Sequence, residues 1–227
     1  MHHLFAVAGN PVLHSRSPEI FNAAFASLEI DATYTRIAAS SAEGILEIAK
    51  GMPIEGLNIT SPFKEEIASL VETDEDAKEI GAVNTLVSNG SGGFLGRNTD
   101  WMGAVGALEN SNAKIKNSNA IVLGAGGAAS AAAYGLLKKG AKVTILNRTA
   151  KKAEKIAKRL GCRGAGLDMA EKALEGASIV VSCIPGAKRV LEPRLLRKGM
   201  TVLDANYMHA SALIEDAKKA GCTAIGG

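Results

Sequence analysis

The sequence predicts an α/β fold of two domains, each with a mostly parallel sheet. Short apolar segments alternate with segments of helical periodicity along the whole chain, a pattern that demands parallel strands joined by right-handed crossovers. A glycine-rich turn at residues 124–129 follows an apolar strand and opens a helix, which makes the C-terminal domain Rossmann-type. With 227 residues, 47% of them hydrophobic, the chain is long enough to bury two modest cores.

In the first domain, residues 1–100, strands and helices are predicted to alternate. Ser17 is the expected cap of one helix, and Pro18 its first residue. That helix is expected to bury four apolar side chains, namely Phe21, Ala24, Phe25 and Leu28. The other predicted elements are strands over 4–8, 33–37 and 54–59, helices over 42–49, from Pro62 and over 100–108, and an antiparallel hairpin of 82–87 with 94–95.

The second domain, residues 101–227, repeats the strand–helix pattern. A polar stretch without periodicity at 110–118 is the expected connection, with the 100–108 helix as the physical link. The predicted elements are strands over 120–123, 142–146, 179–183 and 200–203, and helices over 127–138, 150–160 and 211–219. The inward face of the 150–160 helix is expected to consist of Ala153, Ile156, Ala157 and Leu160.

Composition and charge exclude several classes of protein. Because 26 basic and 23 acidic residues are spread along the chain, no polybasic arm points to a nucleic acid or to an anionic membrane. Glycines interrupt the uncharged stretch 120–137 where a strand turns into a helix, so this stretch is not a membrane span. Cys162, Cys183 and Cys222 lack the spacing of metal ligands, so no metal is expected. We expect a reduced, cytoplasmic protein without a signal peptide.

The glycine-rich turn has the spacing of a dinucleotide-binding fingerprint. Gly124 permits the tight turn, Gly126 lets the backbone approach a pyrophosphate, and Ala129 keeps the helix and the strand close. A helix begins at this turn, and a helix N-terminus attracts phosphate. The expected cofactor contacts in the turn are Gly124, Ala125, Gly126, Gly127 and Ala128. The alternative is a glycine turn without a ligand.

The second strand of this domain ends in Asn147-Arg148-Thr149, which favours NADP over NAD. NAD enzymes usually have an acidic residue there that binds the ribose 2′-hydroxyl. In this chain a guanidinium can grip a 2′-phosphate in a fork, Asn147 and Thr149 can add hydrogen bonds, and Lys152 adds a charge. The alternative is a solvated helix start, which is what charge runs usually form.

Lys64 and Asp100 are the candidate proton-transfer groups. Lys64 is predicted in the first turn of a helix, where a cation is electrostatically unfavourable, and this suits proton exchange. Alternatively, Lys64 lies on a solvated helix face and forms salt bridges there. The alternative for Asp100 is that it caps a helix. Ser15 and Ser17 can bind a carboxylate through their hydroxyls.

Six short motifs follow one another along the chain. They are Gly9-Asn10-Pro11-x-x-His14-Ser15-x-Ser17-Pro18, Asn58-x-Thr60-x-Pro62-Phe63-Lys64, Gly81-Ala82-Val83-Asn84-Thr85, Asn98-Thr99-Asp100, Gly124-Ala125-Gly126-Gly127-Ala128 and Asn147-Arg148-Thr149. Their order resembles that of the shikimate dehydrogenase family over about residues 7–226. The resemblance implies NADPH-dependent, reversible reduction of 3-dehydroshikimate to shikimate, a step of chorismate and aromatic amino acid biosynthesis.

The resemblance also implies a role for each candidate residue. Lys64 and Asp100 are the paired groups near the reacting oxygen, and the hydride comes from the nicotinamide. Ser15 and Ser17 hold the substrate carboxylate. The remaining substrate contacts are Asn84, with Thr60 or Asn58, around the ring hydroxyls, and Tyr207 in the cleft for the substrate and the nicotinamide.

Three features depart from the family pattern. Trp101 stands where glycine is more usual, so packing beside Asp100 is expected to differ. The loop Ser182-Cys183-Ile184-Pro185-Gly186 replaces a more frequent Asn-x-Thr-Pro type. The chain ends at Gly226-Gly227, before the family's closing helices and substrate-binding glutamine. We therefore expect apolar surface on the first domain that a tail or a dimer covers, with a monomer or a homodimer as the assembly.

Three other functions stay open. A nucleotide-binding regulatory homologue without turnover fits the early end of the chain, although Lys64, Asp100 and Asn84 argue against it. Quinate differs from shikimate mainly by water added across the ring double bond, so a dual shikimate/quinate dehydrogenase is an alternative. A methylene-tetrahydrofolate dehydrogenase would leave the Ser15 and Ser17 motif without a purpose.

Overall fold

The structure is a computed structural model that describes residues 2–186, 188–207 and 211–227. The chain divides into two compact units, of which the first ends at Thr99 and the second runs from Asp100 to Gly227. Each unit is an α/β unit built on a mostly parallel sheet, so the predicted fold class is confirmed.

The first unit begins with alternating strands and helices and contains an antiparallel hairpin. Its strands are β1 (His3–Gly9), β2 (Ala32–Ala38), β3 (Ile54–Ile59), β4 (Glu72–Thr73), β5 (Thr85–Ser88) and β6 (Phe94–Arg97), and its helices are α1 (Ser17–Ser27), α2 (Ala42–Gly51), α3 (Lys64–Leu70) and α4 (Glu75–Ile80). The sheet order is β2-β1-β3-β5-β6-β4, with β1 parallel to β2 and β3, and β5 antiparallel to β3 and β6. The carboxyl ends of β1, β3 and β6 and the amino end of β5 therefore lie at one edge of the sheet.

Helices α2 and α3 contribute to the main core of this unit. Ser41 caps α2, because its side chain accepts a hydrogen bond from the Gly44 amide at 3.1 Å. Ile45 and Ala49 lie on one helical face of α2, and both are buried. Ile67 is the fully buried residue of α3 and belongs to the same apolar cluster. The apolar spacing read from the sequence thus places α2 correctly.

Helix α1 differs from its prediction. It begins at Ser17, so the cap position is Arg16, which forms no side-chain cap hydrogen bond within the described residues. Within α1, which the structure describes in full, Pro18 alone is fully buried. The burial expected for Phe21, Ala24 and Leu28 is wrong, and Phe25 is half-buried. The physical reason is that α1 packs on β2, the edge strand of the sheet, where a helix is covered on one side only.

Two boundaries near the predicted site also differ. Helix α3 begins at Lys64 rather than at Pro62, because Phe63 closes a turn by donating its amide to the Thr60 carbonyl at 3.2 Å. Lys64 still occupies the first turn of the helix. Strand β5 begins at Thr85 rather than at residue 82, because the backbone of Ala82 and Val83 bonds to Asn98 and Lys64.

The second unit is a doubly wound parallel sheet. Its strands are β7 (Asn119–Leu123), β8 (Lys142–Asn147), β9 (Arg163–Gly166), β10 (Ile179–Ser182), β11 (Thr201–Asp204) and β12 (Thr223–Gly226), and its helices are α5 (Asp100–Asn110), α6 (Gly127–Lys138), α7 (Ala150–Leu160), α8 (Ala170–Leu174) and α9 (Ala212–Lys219). These strands run parallel in the order β12-β11-β10-β7-β8-β9. One apolar cluster includes α5, α6 and α7, and another includes α8 and α9. No helix in the described ranges is long and apolar enough to cross a membrane.

Among the described residues, five short strands and α-helices escaped the sequence prediction, namely β4, α4, α8, β9 and β12. They contain two to six residues each, which is too short for a periodic pattern to identify them. Strands β9 and β12 form through pairing with β8 and β11, the strands next to them. Their formation therefore depends on tertiary neighbours.

Helices α5 and α6 approach each other closely at a glycine. A Cβ atom on Gly135 would lie 2.9 Å from Val105 Cγ2 and 3.0 Å from the Trp101 carbonyl oxygen. The indole of Trp101 meets the ring of Tyr134 edge-on at 5.8 Å between centroids, and Lys138 Nζ lies 4.6 Å from the indole centroid. Trp101 Nε1 has no hydrogen-bond acceptor among the described residues. The tryptophan that departs from the family pattern therefore takes part in the α5–α6 contact.

We expect Gly135→Ala to destabilise the second unit, because the added methyl group would push α5 away from α6, and overpacking of this kind costs about 1–3 kcal/mol. Gly103→Ala is the matched control. Gly103 is exposed on α5, and an added Cβ would meet nothing within 4 Å. Alanine should stabilise that helix by about 1 kcal/mol relative to glycine. Thermal unfolding of the two variants should therefore shift in opposite directions, and a decrease of equal size in both would contradict the expectation.

Candidate functional site

The predicted substrate residues gather at one edge of the first sheet. Gly9 ends β1, Asn58 lies near the carboxyl end of β3, and Thr85 begins β5. Asn58 is paired with Thr85 across the β3–β5 ladder and with Val7 of β1. A Cβ atom on Gly9 would overlap Thr60 Cγ2, so the turns after β1 and β3 approach too closely for a larger residue. In open α/β sheets, ligands bind outside the carboxyl ends of strands.

The three residues Ala82–Asn84, which we call the hub segment, connect several parts of this edge. The Ala82 carbonyl accepts a hydrogen bond from Asn98 Nδ2 at 2.9 Å. The Val83 amide donates to the Lys64 carbonyl at 2.8 Å. These two bonds tie the chain after β6 and the start of α3 to the same short stretch of backbone.

Asn84 forms further hydrogen bonds through its backbone and through its buried side chain. Its Oδ1 accepts hydrogen bonds from the Thr99 amide at 2.8 Å and from the Thr85 hydroxyl at 2.9 Å. Its Nδ2 donates to the Thr99 hydroxyl at 2.9 Å. Its carbonyl accepts from Asn58 Nδ2 at 3.3 Å. Asn84 therefore fixes Thr99, the residue directly before Asp100.

Ser15 and Ser17 form a pair of hydroxyls at the start of α1. Ser15 is buried, and its hydroxyl donates to Ser17 Oγ at 3.2 Å. Arg36 of β2 holds this loop, since its Nε and Nη2 donate to the Ser15 carbonyl at 3.1 and 2.6 Å. The hydrogen bond from Arg36 also holds the pKa of Glu19 below its usual range. Two adjacent hydroxyls are suited to bind a carboxylate, since each can donate one hydrogen bond.

Tyr34, which sequence reasoning did not single out, lies between these groups. Its hydroxyl donates to Asn58 Oδ1 at 2.5 Å. Burial raises the pKa of the Tyr34 phenol above its ordinary value, and an interaction with Ser17 offsets part of that rise. The sequence signal was that Tyr34 and Arg36 lie two residues apart, and so on one face of the same predicted strand.

The two candidate proton-transfer residues belong to different units. Lys64 lies in the first turn of α3 and is half-buried. Asp100 is the first residue of α5, is also half-buried, and belongs to the second unit. Thr60, next to β3, donates its amide to the Ala8 carbonyl at 2.9 Å. The pairing of Lys64 with Asp100 stays a prediction.

The glycine-rich turn has the geometry of a phosphate-binding turn. Gly124 has a φ of +113°, which favours glycine, and a Cβ atom there would lie 3.3 Å from the Cys183 carbonyl oxygen. Gly126 is exposed at the cap position of α6, and no side-chain cap hydrogen bond forms there within the described residues. A helix begins with amides that have no partner within the helix, and its N-terminus attracts phosphate. Ala129 is buried in the core, as expected.

The end of β8 provides the groups expected for a ribose phosphate. Asn147 Nδ2 donates to the Thr149 carbonyl at 3.1 Å. Arg148, Thr149 and Lys152 are exposed. Because β7 and β8 are parallel neighbours, this end lies beside the glycine-rich turn. The stretch 147–152 contains no acidic residue, so its amide, guanidinium and ammonium donors fit the extra phosphate of NADP.

Tyr207 follows β11 at the same edge of the second sheet and is exposed. Asp204 anchors the start of this segment. Its Oδ1 accepts from the Asn206 amide at 3.1 Å, and its Oδ2 accepts from the Ser211 hydroxyl. Strand β10 lies between β7 and β11, so the loop after Ser182 also reaches this edge. The edge thus collects the predicted cofactor residues and Tyr207.

Sequence reasoning missed other members of the polar group besides Tyr34. Thr85 and Thr99 belong to two of the six motifs. The sequence feature that could have identified them is their position next to Asn84 and Asp100. In the part of the chain that the structure describes, no three or more His, Cys, Asp or Glu residues form a group able to hold a metal ion. The predicted substrate residues carry hydroxyl, amide, amine and carboxylate groups.

Two family profiles match the chain. One, described as the shikimate dehydrogenase substrate binding domain, matches residues 7–86, and one described as shikimate / quinate 5-dehydrogenase matches residues 107–219. A relative from Syntrophobacter fumaroxidans, named shikimate dehydrogenase (NADP(+)), is 38% identical, and the match covers 99% of this chain and 81% of the relative. The two profile matches together include residues of both structural units.

Solved structures show the same fold. Shikimate dehydrogenase from Aquifex aeolicus is 33% identical with a TM-score of 0.92, and the match covers 100% of this chain and 86% of that chain. Shikimate 5-dehydrogenase from Thermus thermophilus in complex with NADP(H) and shikimate is 29% identical with a TM-score of 0.88, covering 99% and 86%. Both structures match this chain over its two units.

We expect Asn84→Ala to destabilise the first unit by about 1–3 kcal/mol, because three hydrogen bonds around a buried side chain would be lost. Asn89→Ala is the matched control. Asn89 Oδ1 accepts from the Ser91 and Gly93 amides, but in an exposed loop where water can replace it. Urea unfolding should show a clearly smaller loss for the control, and equal losses would contradict the importance of Asn84.

Proposed function

The chain belongs to the shikimate dehydrogenase family, and we propose that it catalyses the reversible, NADPH-dependent reduction of 3-dehydroshikimate to shikimate. The observation that carries this proposal is the hydrogen-bonded group at one edge of the first sheet. It contains Ser15, Ser17, Asn58 and Asn84. These hydroxyl and amide groups suit a small hydroxylated ring that bears a carboxylate. The reaction is a step of chorismate and aromatic amino acid biosynthesis.

The first unit is the proposed substrate-binding part. In this proposal Ser15 turns its hydroxyl hydrogen from Ser17 to the substrate carboxylate, and Ser17 donates its own hydrogen to the same group. The support is that the two hydroxyl oxygens lie 3.2 Å apart. Asn58, Thr60 and Asn84 contact the ring hydroxyls. Because the network fixes the amide groups before the substrate arrives, little ordering is left to occur on binding.

Lys64 and Asp100 are the proposed proton-transfer pair. As hydride reaches the substrate, negative charge develops on the carbonyl oxygen, and a lysine ammonium stabilises that charge and can donate the proton. The support is that Lys64 bonds to the hub segment and that the residue before Asp100 does so too. The Lys64 carbonyl bonds to Val83, and Asp100 follows Thr99, whose amide bonds to Asn84.

The second unit is the proposed NADP-binding part. When NADPH is bound, it supplies the hydride. The residues proposed to contact the pyrophosphate are Gly124, Ala125, Gly126, Gly127 and Ala128, and those proposed to contact the 2′-phosphate end are Asn147, Arg148, Thr149 and Lys152. Tyr207 borders the nicotinamide and the substrate. The exposed donors at the end of β8 support the preference for NADP over NAD.

Quinate oxidation is the second candidate function. The observation in its favour is that the profile matching residues 107–219 is described as shikimate / quinate 5-dehydrogenase. Parallel assays of NADPH and NADH formation from shikimate and from quinate test both candidates. Turnover with shikimate and NADP supports the main proposal, and its absence contradicts it. A monomeric or homodimeric assembly and a cytoplasmic location stay predictions.

We expect Lys64→Ala to lower kcat by about 10²–10⁴-fold, the size of a typical acid–base contribution, while NADP binding stays unchanged. Lys78→Ala is the control, because Lys78 is exposed near the end of α4. Steady-state kinetics measures kcat, and fluorescence titration measures the Kd for NADPH. Undiminished turnover in Lys64→Ala would remove this residue from the proposed mechanism.

We expect Arg148→Ala to weaken NADP binding by about 10–100-fold, since a hydrogen bond to a charged group contributes about 1.5–3 kcal/mol. NAD binding should change by less than about threefold, because NAD lacks the 2′-phosphate that the guanidinium reads. Lys158→Ala, at the far end of α7, is the control for a lost surface charge. Equal weakening of both cofactors would show that Arg148 does not read the 2′-phosphate.

A further inference from the structure

We propose that Tyr34 is a positioning residue for the substrate, because its buried hydroxyl holds the side chain of Asn58, a residue proposed to contact the ring hydroxyls. This inference rests on the proposed function and deepens it. The Tyr34 hydroxyl donates to Asn58 Oδ1 at 2.5 Å. Asn58 lies near the carboxyl end of β3, at the edge of the sheet where the proposed substrate residues gather.

The hydrogen bonds run in one direction from Tyr34. Tyr34 donates to Asn58 Oδ1 at 2.5 Å, Asn58 Nδ2 donates to the Thr85 hydroxyl at 3.2 Å, and that hydroxyl donates to Asn84 Oδ1 at 2.9 Å. Hydrogen bonds in a chain polarise and strengthen one another. Loss of the Tyr34 hydroxyl therefore removes the first bond of this chain and weakens the position of Asn58.

The Tyr34 hydroxyl also determines how the Asn58 amide is oriented. Because Oδ1 accepts from Tyr34, Nδ2 is directed at Thr85 and at the Asn84 carbonyl, 3.3 Å away. Without the hydroxyl, the amide oxygen loses its donor, and the orientation of the amide depends only on the longer bonds from Nδ2 to Thr85 and to the Asn84 carbonyl, so the amide turns over more readily. A turned amide offers the wrong atom to a substrate hydroxyl. Tyr34 thus acts on the substrate through Asn58.

The surroundings of Tyr34 hold it rigidly. Its amide donates to Asn22 Oδ1 at 2.8 Å, and its carbonyl accepts from Asn22 Nδ2 at 2.9 Å. Its ring stacks on Phe21 at 4.5 Å between centroids and 4° between planes, and it belongs to an apolar cluster with Val7 and Val12. Because burial raises the pKa of the phenol, the hydroxyl stays protonated at neutral pH and remains a donor.

Tyr34→Phe tests the inference, because it removes the hydroxyl and keeps the stacked ring. We expect the KM for shikimate to rise about 10-fold, with the KM for NADP unchanged and kcat affected less than the KM for shikimate. Asn58→Ala provides the second arm. If Tyr34 acts through Asn58, adding Tyr34→Phe to Asn58→Ala raises the KM further by less than about twofold.

Phe25→Leu is the matched control. Phe25 packs against Phe5 at 5.6 Å between ring centroids, next to the same apolar cluster, so the variant disturbs packing without removing a hydroxyl. We expect a lower melting temperature and an unchanged KM for shikimate. A KM for shikimate that stays at the wild-type value in Tyr34→Phe overturns the inference. A tenfold rise that persists in full in the Asn58→Ala background overturns it as well.

Calorimetric titration with shikimate separates this inference from the proposed function. Wild-type turnover together with unweakened shikimate binding by Tyr34→Phe contradicts the inference alone. If the wild type binds shikimate without turnover, the proposed reaction fails, and the ratio of the two Kd values still decides the role of Tyr34. If the wild type binds no shikimate, both are overturned.

Discussion

The hub segment Ala82–Asn84 is the constraint on which the proposed substrate site depends. Because buried backbone groups must find hydrogen-bond partners, residues that leave the strand ladder must bond elsewhere. Ala82 and Val83 bond to Asn98 after β6 and to Lys64, the first residue of α3. The Asn84 backbone still bonds to the ends of β3 and β6, through Ile59 and Arg97. The hub segment therefore joins the strand ladder to the segments beside it and holds them in one polar group.

The same constraint extends along the chain to the second unit. Thr99 is fixed by Asn84, and the next residue, Asp100, begins α5. Helix α5 then packs against α6 at Gly135, and α6 is the helix whose N-terminus follows the glycine-rich turn. Asp100 therefore starts a helix whose packing partner also positions the proposed phosphate contacts. The Trp101–Tyr134–Lys138 contact adds a second point of attachment between these two helices.

Features whose physical cause is local could be predicted from the sequence. Gly124 needs a positive φ and Lys64 occupies a helical first turn, and both requirements are visible in neighbouring residues. Features that depend on tertiary neighbours could not be predicted. The spacing of apolar residues in α1 predicted a buried helix face. That face is largely exposed because α1 packs on β2, which is an edge strand. Tyr34 gave no motif, because its partner Asn58 lies 24 residues away and meets it only across the folded sheet.

The two proposed binding sites differ in how function is linked to stability. On the substrate side, Ser15 and Asn84 are buried and their side chains bond to other parts of the fold, so a substitution there acts on folding and binding together. On the cofactor side, Arg148 and Lys152 are exposed, so their substitution acts on binding while the core of the unit is left intact. Cofactor preference can therefore change through surface substitutions at the end of β8. Substrate preference is coupled to a network in which each group depends on the next, so changing it requires compensating substitutions.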